Sequence, residues 1–332
     1  MKIDLSQYPE LVRGAVEVCK NGAGSVYFKR HTPEMYKAFQ PNPKGDRFWD
    51  FMVGCTTCVR LVFATDASAI RMVLHYGSPL DVSNYVGQVD IVQEGQPKQS
   101  FCSELKYHDF ANIHEFVCPL HGSGRKNVTV YLPNHVPSAI CELELIDAVQ
   151  TPEPLPPLPY KILFVGDSIT QGYFGTPTGC YAARYAITRN ADYANVSLGG
   201  ACCQHGMGSA CAGYEWNELV LAFGTNDSGG RSLEDFAGYI HTFFDELTVP
   251  EGATVTVISP VSFLNCPEER AARLEEYRKW MPSLEERYPF VRVFNGAELL
   301  PPVTEYFDPD GVHPNEKGME VYADNLFAGV SK

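Results

Sequence analysis

Four short segments carry side chains that a fold could gather into one chemistry. Gly166-Asp167-Ser168-Ile169-Thr170-Gln171-Gly172 follows the apolar run Lys161–Val165. A serine just past a strand and at the start of a helix holds its hydroxyl on a tight turn. The N–H groups around it have no intrahelical partner and point toward developing negative charge. Alone, Gly-Asp-Ser is a common loop tripeptide whose serine caps a helix. Asn195-Val196-Ser197-Leu198-Gly199-Gly200 places glycines where a backbone N–H can approach a ligand without a side chain in the way, although in isolation it is a turn. Gly224-Thr225-Asn226-Asp227 offers a side-chain amide as a donor, from residue types that are also ordinary in turns. In Asp308-Pro309-Asp310-Gly311-Val312-His313-Pro314, Asp310 and His313 lie three apart. The carboxylate can hold one ring nitrogen and leave the other to take a proton. A solvated surface loop is the plainer reading, but an Asp-Gly turn followed by His-Pro fixes a particular geometry.

Elements that could position these segments are legible in residues 160–330. Short apolar runs, Lys161–Val165, Tyr193–Ser197, Glu218–Phe223, Thr254–Ser259 and Phe290–Phe294, alternate with amphipathic stretches. Ser232 with Asp235 three residues later opens a helix as a capping-box variant, and Leu233, Phe236, Ile240, Phe243, Phe244 and Leu247 mark one face. Pro267 suits a first helical turn, ahead of a stripe through Leu274, Tyr277, Trp280 and Met281. Asn315–Ala328 reads as a closing helix. Five βα-type units imply a mostly parallel five-stranded sheet with helices on both faces, an α/β/α three-layer domain whose chemistry collects at the carboxyl ends of the strands. The first three segments fall at such ends, in chain order, and the fourth follows the last run.

Residues 1–150 read differently. In Ile70-Arg71-Met72-Val73-Leu74-His75-Tyr76 the even positions are apolar and Arg71 and His75 face the other way. Val59, Leu61 and Phe63 alternate similarly, as do Cys141, Leu143 and Leu145 with Glu142 and Glu144. Turns such as Tyr76-Gly77-Ser78-Pro79 and His121-Gly122-Ser123-Gly124 separate the segments, and no stretch shows a helical stripe. This predicts an all-β sandwich or jelly roll. Between the halves, Thr151–Pro159 holds five prolines in nine residues, a stiff extended linker. The expected domains are therefore 1–150, a linker at 151–159, and 160–332.

The chain has 332 residues, 45% hydrophobic and 20% charged, with 26 Lys+Arg against 40 Asp+Glu and a formal charge of -14. That composition excludes a disordered, collagen-like or coiled-coil protein. A surface so negative repels phosphate backbones and anionic lipid, so nucleic acid and membrane are not expected as partners. No apolar stretch suits a signal-peptide core or a spanning helix, and the 11 cysteines form no dense framework. A cytoplasmic protein with free thiols is expected, with secretion open if a signal has been removed.

Taken together, the four segments resemble the SGNH (GDSL-like) hydrolase family over essentially all of residues 160–330. The blocks that match are Gly166-Asp167-Ser168, Asn195 through Gly200, Gly224-Thr225-Asn226-Asp227 and Asp310-Gly311-Val312-His313. One departure is Ser197, where the second block often has glycine. The Gly-x-Ser-x-Gly elbow of the α/β-hydrolase fold is absent around Ser168. The resemblance implies a serine esterase: Ser168 as nucleophile, His313 as base and Asp310 as its orienting acid. The oxyanion would be held by the backbone N–H groups of Ser168 and Gly200 and the amide of Asn226, with Gly199 adjacent to Gly200 and the choice between them open. No metal or organic cofactor is implied. An all-β domain ahead of such a domain is similar to the arrangement in carbohydrate esterase family 2, which implies short acyl, chiefly acetyl, esters of a saccharide or other small molecule as substrate. The alternative role of the β domain is to cover an edge of the catalytic one. Acyl transfer by the same residues stays open, as does the oligomeric state. A non-catalytic binding protein is disfavoured by retention of all the reactive residues.

Other candidates read more plainly. Cys55-Thr56-Thr57-Cys58 has half the spacing of a zinc site but no second pair follows, so it reads as the start of a buried strand. Cys202, Cys203 and Cys211 read as small buried residues near the crevice. His205, between glycines, receives no role. His31, His75, His108, His114, His121 and His135 read as structural or solvated, and Phe48, Trp49 and Phe51 as packing.

Overall fold

In the computed structural model, which describes residues 1–40, 45–80, 85–106 and 112–331, the chain divides into two compact units. One comprises Met1–Arg30, Asp46–Pro157 and Thr176–Thr178; the other comprises His31–Gly45, Leu158–Gly175 and Gly179–Lys332. His108 lies outside the described residues.

The first unit is built from two antiparallel sheets. One runs in the order Val12–Arg13, Arg60–Thr65, Lys126–Tyr131, Tyr85–Gln93, Gln99–Leu105, and Glu153–Pro154 of the proline-rich segment also pairs with Arg60–Thr65. The other runs Glu17–Lys20, Val26–Lys29, Ser138–Ile146, Ala69–Tyr76, Ile113–Pro119. Ile70, Met72, Leu74 and Tyr76 are all buried, as strict alternation requires of a sheet with one wet face. The sheets meet face to face: Phe101 stacks on Phe116 at 4.6 Å, and a Cβ on Gly87 would lie 2.7 Å from the Tyr76 ring.

Two features depart from the pattern read in the sequence. The register of Ser138–Ile146 shifts between Ile140 and Glu142, so Cys141 is the extra residue of a bulge and is only half-buried, while Leu143 and Leu145 stay in the core. The expectation of no helix before residue 150 is corrected by Pro33–Ala38 and Asp46–Gly54. Six and nine residues are too few to display a stripe; the first is set by a Thr32 side-chain cap on the Met35 N–H at 3.1 Å with Pro33 at its first position. Trp49 and Phe51 are buried on the second. Cys55 and Cys58 are buried in the segment that precedes the Arg60–Thr65 strand rather than within it, Cys55 in a bridge to Pro137 and Cys58 in the turn that follows.

The second unit holds a five-stranded parallel sheet. Its strands are β1 (Lys161–Gly166), β2 (Asp192–Asn195), β3 (Glu218–Ala222), β4 (Thr254–Ile258) and β5 (Val291–Phe294), in the order 2-1-3-4-5. Ile162, Leu163, Phe164 and Val165 are all buried, the unbroken apolar run of a strand covered on both faces. Helices Tyr181–Thr188, Leu233–Glu246, Glu268–Trp280 and Glu316–Val330 supply the outer layers. Ser232 caps its helix through the Asp235 N–H at 3.1 Å, and Phe236, Ile240, Phe243 and Phe244 are buried. Pro267 is the cap residue of Glu268–Trp280 rather than a member of its first turn.

The strand order determines where a ligand can sit. From β1 the chain crosses to β2 on one side, then returns past β1 to β3 on the other. Loops leaving β1 and β3 therefore diverge and open a crevice at their carboxyl ends. The amino end is closed instead. There Glu218 is buried and accepts hydrogen bonds from Tyr185 at 2.8 Å and Thr256 at 2.7 Å. Among the described residues no helix is long and apolar enough to cross a membrane.

Candidate active site

Ser168 follows β1 and opens a four-residue helix, Ser168–Gln171. Asp167 caps it, accepting the Ile169 N–H at 3.0 Å, and Gly172, with φ 82°, ends it. Only one turn of helix forms, and Ser168 is its first residue, half-buried, with its backbone N–H unpaired among the described residues. Burial of the Asp167 carboxyl raises it to about 6, against the pull of the Ile169 N–H and of His313.

The loop before the closing helix brings His313 to the same point. His313 Nε2 lies 2.8 Å from Ser168 Oγ, and His313 Nδ1 lies 2.5 Å from Asp310 Oδ2. Asp310 Oδ1 accepts the backbone N–H groups of Val312 at 2.9 Å and His313 at 3.0 Å, so one carboxylate shapes the turn and orients the ring within it. Burial works to raise the Asp310 carboxyl, but the His313 ring and these backbone donors outweigh it and hold it below its ordinary value. Asp308 is raised instead, by its own burial and by the neighbouring Asp310 charge. Two aromatic rings flank the imidazole. Tyr173 is 5.0 Å away and tilted by 48°, and Phe174 meets it edge-on at 5.7 Å. Phe174 has a φ of 62°, a left-handed backbone that a side chain of this size rarely adopts.

The loops after β2 and β3 complete the rim. Leu198–Ala201 is a turn closed by the Ala201 N–H on Leu198 O at 3.1 Å, with φ 76° at Gly200, as in a type II turn that needs glycine at its third position. The Gly199 N–H donates to Gln171 Oε1 at 2.6 Å, whereas the Gly200 N–H has no partner among the described residues. Asn195 is buried; its Oδ1 accepts the Ser197 N–H at 2.9 Å and its Nδ2 donates to Thr170 O at 2.6 Å. After β3, Asn226 donates from Nδ2 to Ala201 O at 3.1 Å. That leaves its second amide hydrogen unpaired among the described residues.

Two residues that carried no role in the sequence brace this rim. Asp227 is buried and accepts the N–H groups of Gly224 at 3.0 Å and Cys203 at 3.3 Å. Arg231 Nη1 bonds Asp227 Oδ1 at 2.5 Å and Cys203 O at 2.6 Å, and its guanidinium lies 3.8 Å from the Tyr239 ring centroid. Burial raises the Asp227 carboxyl, with Arg231 opposing. The i,i+4 spacing of Asp227 and Arg231 was the available signal, masked because Asp227 opens a single 3-10 turn that ends before Arg231.

The structure also places the remaining cysteine and histidine candidates. Cys203 and Cys211 are buried, their thiols pushed up by burial. His205 is exposed and packs on Tyr239 at 4.7 Å. His31 belongs to the second unit, buried, with Nε2 2.9 Å from Val196 O. His135 is buried in the first unit and driven down to about 4 by that burial.

The order of loops, a serine hydroxyl and a histidine within hydrogen-bonding reach are what an acylhydrolase needs, and the GDSL-like lipase/acylhydrolase family model matches residues 164–321. Those residues form a domain that matches the GDSL-like family. No curated protein matches the chain. Among solved structures, the chain is similar to SsfX3, a salicylyl-acyltransferase from a tetracycline biosynthetic pathway, at 20% identity and a TM-score of 0.79, over 96% of this chain and 94% of that one. It is also similar to a Bacteroides ovatus protein named as a GDSL-like lipase, at 15% identity and a TM-score of 0.72, over 97% and 94% of the two chains. A family two carbohydrate esterase from Cellvibrio japonicus aligns at 14% identity and a TM-score of 0.62, again over 97% and 94%. Each likeness is one of fold, and in each it extends beyond the GDSL-like domain to the β unit.

Proposed function

We propose that the protein is a serine esterase that removes short acyl groups, acetyl foremost, from a saccharide or related small alcohol through a Ser168 acyl-enzyme. The reading is carried by one arrangement, His313 between the Ser168 hydroxyl at 2.8 Å and the Asp310 carboxylate at 2.5 Å.

In this mechanism Ser168 Oγ attacks the ester carbonyl carbon while His313 Nε2 takes its proton. Asp310 accepts from Nδ1–H, fixes the tautomer and stabilises the imidazolium. The tetrahedral oxyanion is held by the N–H groups of Ser168 and Gly200 and the free amide hydrogen of Asn226, each donor being worth on the order of 3 kcal/mol in the barrier. Gly200 is preferred to Gly199 because the Gly199 N–H already serves Gln171. Collapse expels the alcohol, which takes the proton from His313; water, deprotonated by the same ring, then releases the acid. The saccharide reading is supported by the fold likeness to a family two carbohydrate esterase and by the Tyr173 and Phe174 rings beside His313, which offer flat apolar surface to a sugar ring.

A second reading, transfer of the acyl group to an alcohol in place of water, is favoured by the fold likeness to a salicylyl-acyltransferase. Product analysis separates the two. Acetylated sugars and longer-chain esters are incubated with and without an added alcohol acceptor. Free acetate as the main product in both conditions supports hydrolysis. An acylated acceptor that dominates over acid establishes the transferase instead. Turnover of only long-chain esters contradicts the acetyl preference.

A further inference from the structure

We propose that Gln171 is a positioning residue that selects Gly200 as an oxyanion donor and locks it to the nucleophile; the proposal rests on the acyl-enzyme reading above. Gln171 is the last residue of the one-turn helix that begins at Ser168, and its side chain is completely buried. Its Oε1 accepts the Gly199 N–H at 2.6 Å. An N–H can pair only with the oxygen of a side-chain amide, so the orientation of this amide is fixed. The other end, Nε2, is then buried without a partner among the described residues.

As packing alone, Gln171 is poorly chosen. It makes one hydrogen bond and leaves a buried donor without one, which typically costs 1–3 kcal/mol. What it does achieve is directional. Successive amides in a turn of this kind point different ways, so anchoring the Gly199 N–H inward leaves the Gly200 N–H facing the other side, unpaired among the described residues. A second tie runs between the same two segments, from Asn195 Nδ2 to Thr170 O at 2.6 Å. Thr170 and Gln171, consecutive on the helix that carries Ser168, therefore hold the end of β2 and the loop that leaves it with Gly200. The two backbone donors move as one body, and thermal displacement of the loop no longer blurs the pocket in which negative charge develops.

The test uses the full chain and p-nitrophenyl acetate. Gln171→Met keeps length and apolar volume but removes the acceptor, and Gln171→Glu keeps an acceptor, because burial favours the neutral carboxyl. Rates are referred to the sites titrated by a p-nitrophenyl phosphonate, so that unfolded molecules do not count. The expected result for Gln171→Met is a kcat about 10–100-fold lower with KM changed by less than about twofold, since only the charge-developing state is affected. The inhibition constant of a boronic acid, whose tetrahedral adduct places an oxygen in the same pocket, rises in parallel, and Gln171→Glu recovers most of the loss. Unchanged kcat per site in Gln171→Met, or equal losses in the Met and Glu variants, overturns the proposal. Ser168→Ala run alongside separates the two levels. If it is inactive while Gln171→Met is fully active, only the positioning role fails; if Ser168→Ala itself turns over, the acyl-enzyme reading fails.

Discussion

Asn226 donates from Nδ2 to the carbonyl of Ala201 at 3.1 Å, so a residue that follows β3 is held by the loop that follows β2. The bond spends one amide hydrogen and aims the other. In the proposed mechanism this fixes donors from two loops relative to each other before substrate arrives, which is what electrostatic preorganisation requires. Asn226→Ala removes both the donor and the brace. A fall in kcat of about 10²–10³-fold is expected, with a small change in KM, measured by steady-state kinetics on an activated ester.

Gly224 lies two residues past the end of β3 with a φ of 120°, and a Cβ there would lie 2.9 Å from the Pro260 ring. Its N–H donates to Asp227, the carboxylate that also holds Cys203 and Arg231. Gly224→Ala therefore combines backbone strain with a clash and destabilises by about 2–3 kcal/mol. Because Asn226 lies two residues on, kcat per folded molecule falls as well. Thermal unfolding and kinetics on the same preparation check both.

The Asp167 carboxyl has a defined pH signature. Its folded value, about 6, lies above its ordinary 3.8. Between those values the native state binds more protons than the unfolded chain, so stability falls as pH rises through this range. The favourable contribution is complete below pH 4 and lost above pH 6. Asp167→Asn keeps an acceptor for the Ile169 N–H and cannot ionise. Wild type and variant are expected to unfold alike near pH 4, and the variant to gain on the order of 2 kcal/mol by pH 7. Thermal unfolding from pH 4 to pH 7 tests it; a constant difference contradicts the assignment.

How much of this was legible in the residues differs between the two units. Strand runs read as Lys161–Val165 and Thr254–Ser259 fold as Lys161–Gly166 and Thr254–Ile258, because a strand buried on both faces needs an unbroken apolar run that few other structures produce. Ser168 and His313 are 145 positions apart, and their meeting was visible only because each sits in a distinctive block. Gln171 and Arg231 were not, since their roles depend on which backbone atoms come within reach, and no spacing records that. Helices Pro33–Ala38 and Asp46–Gly54 escaped because periodicity needs more turns than they have. The Thr32-x-x-Met35 cap with Pro33 was a signal, but capping alone does not distinguish a helix from a turn.

The central claim is that the Ser168 hydroxyl becomes covalently acylated with His313 as base. The most direct measurement is intact-protein mass spectrometry after rapid mixing with p-nitrophenyl acetate and acid quench, on wild type, Ser168→Ala and His313→Ala. Wild type is expected to gain the mass of one acetyl group, Ser168→Ala none, and His313→Ala to acylate at a rate lower by several orders of magnitude. An acetyl adduct that persists on Ser168→Ala with undiminished turnover, or acylation at the wild-type rate without His313, contradicts the account.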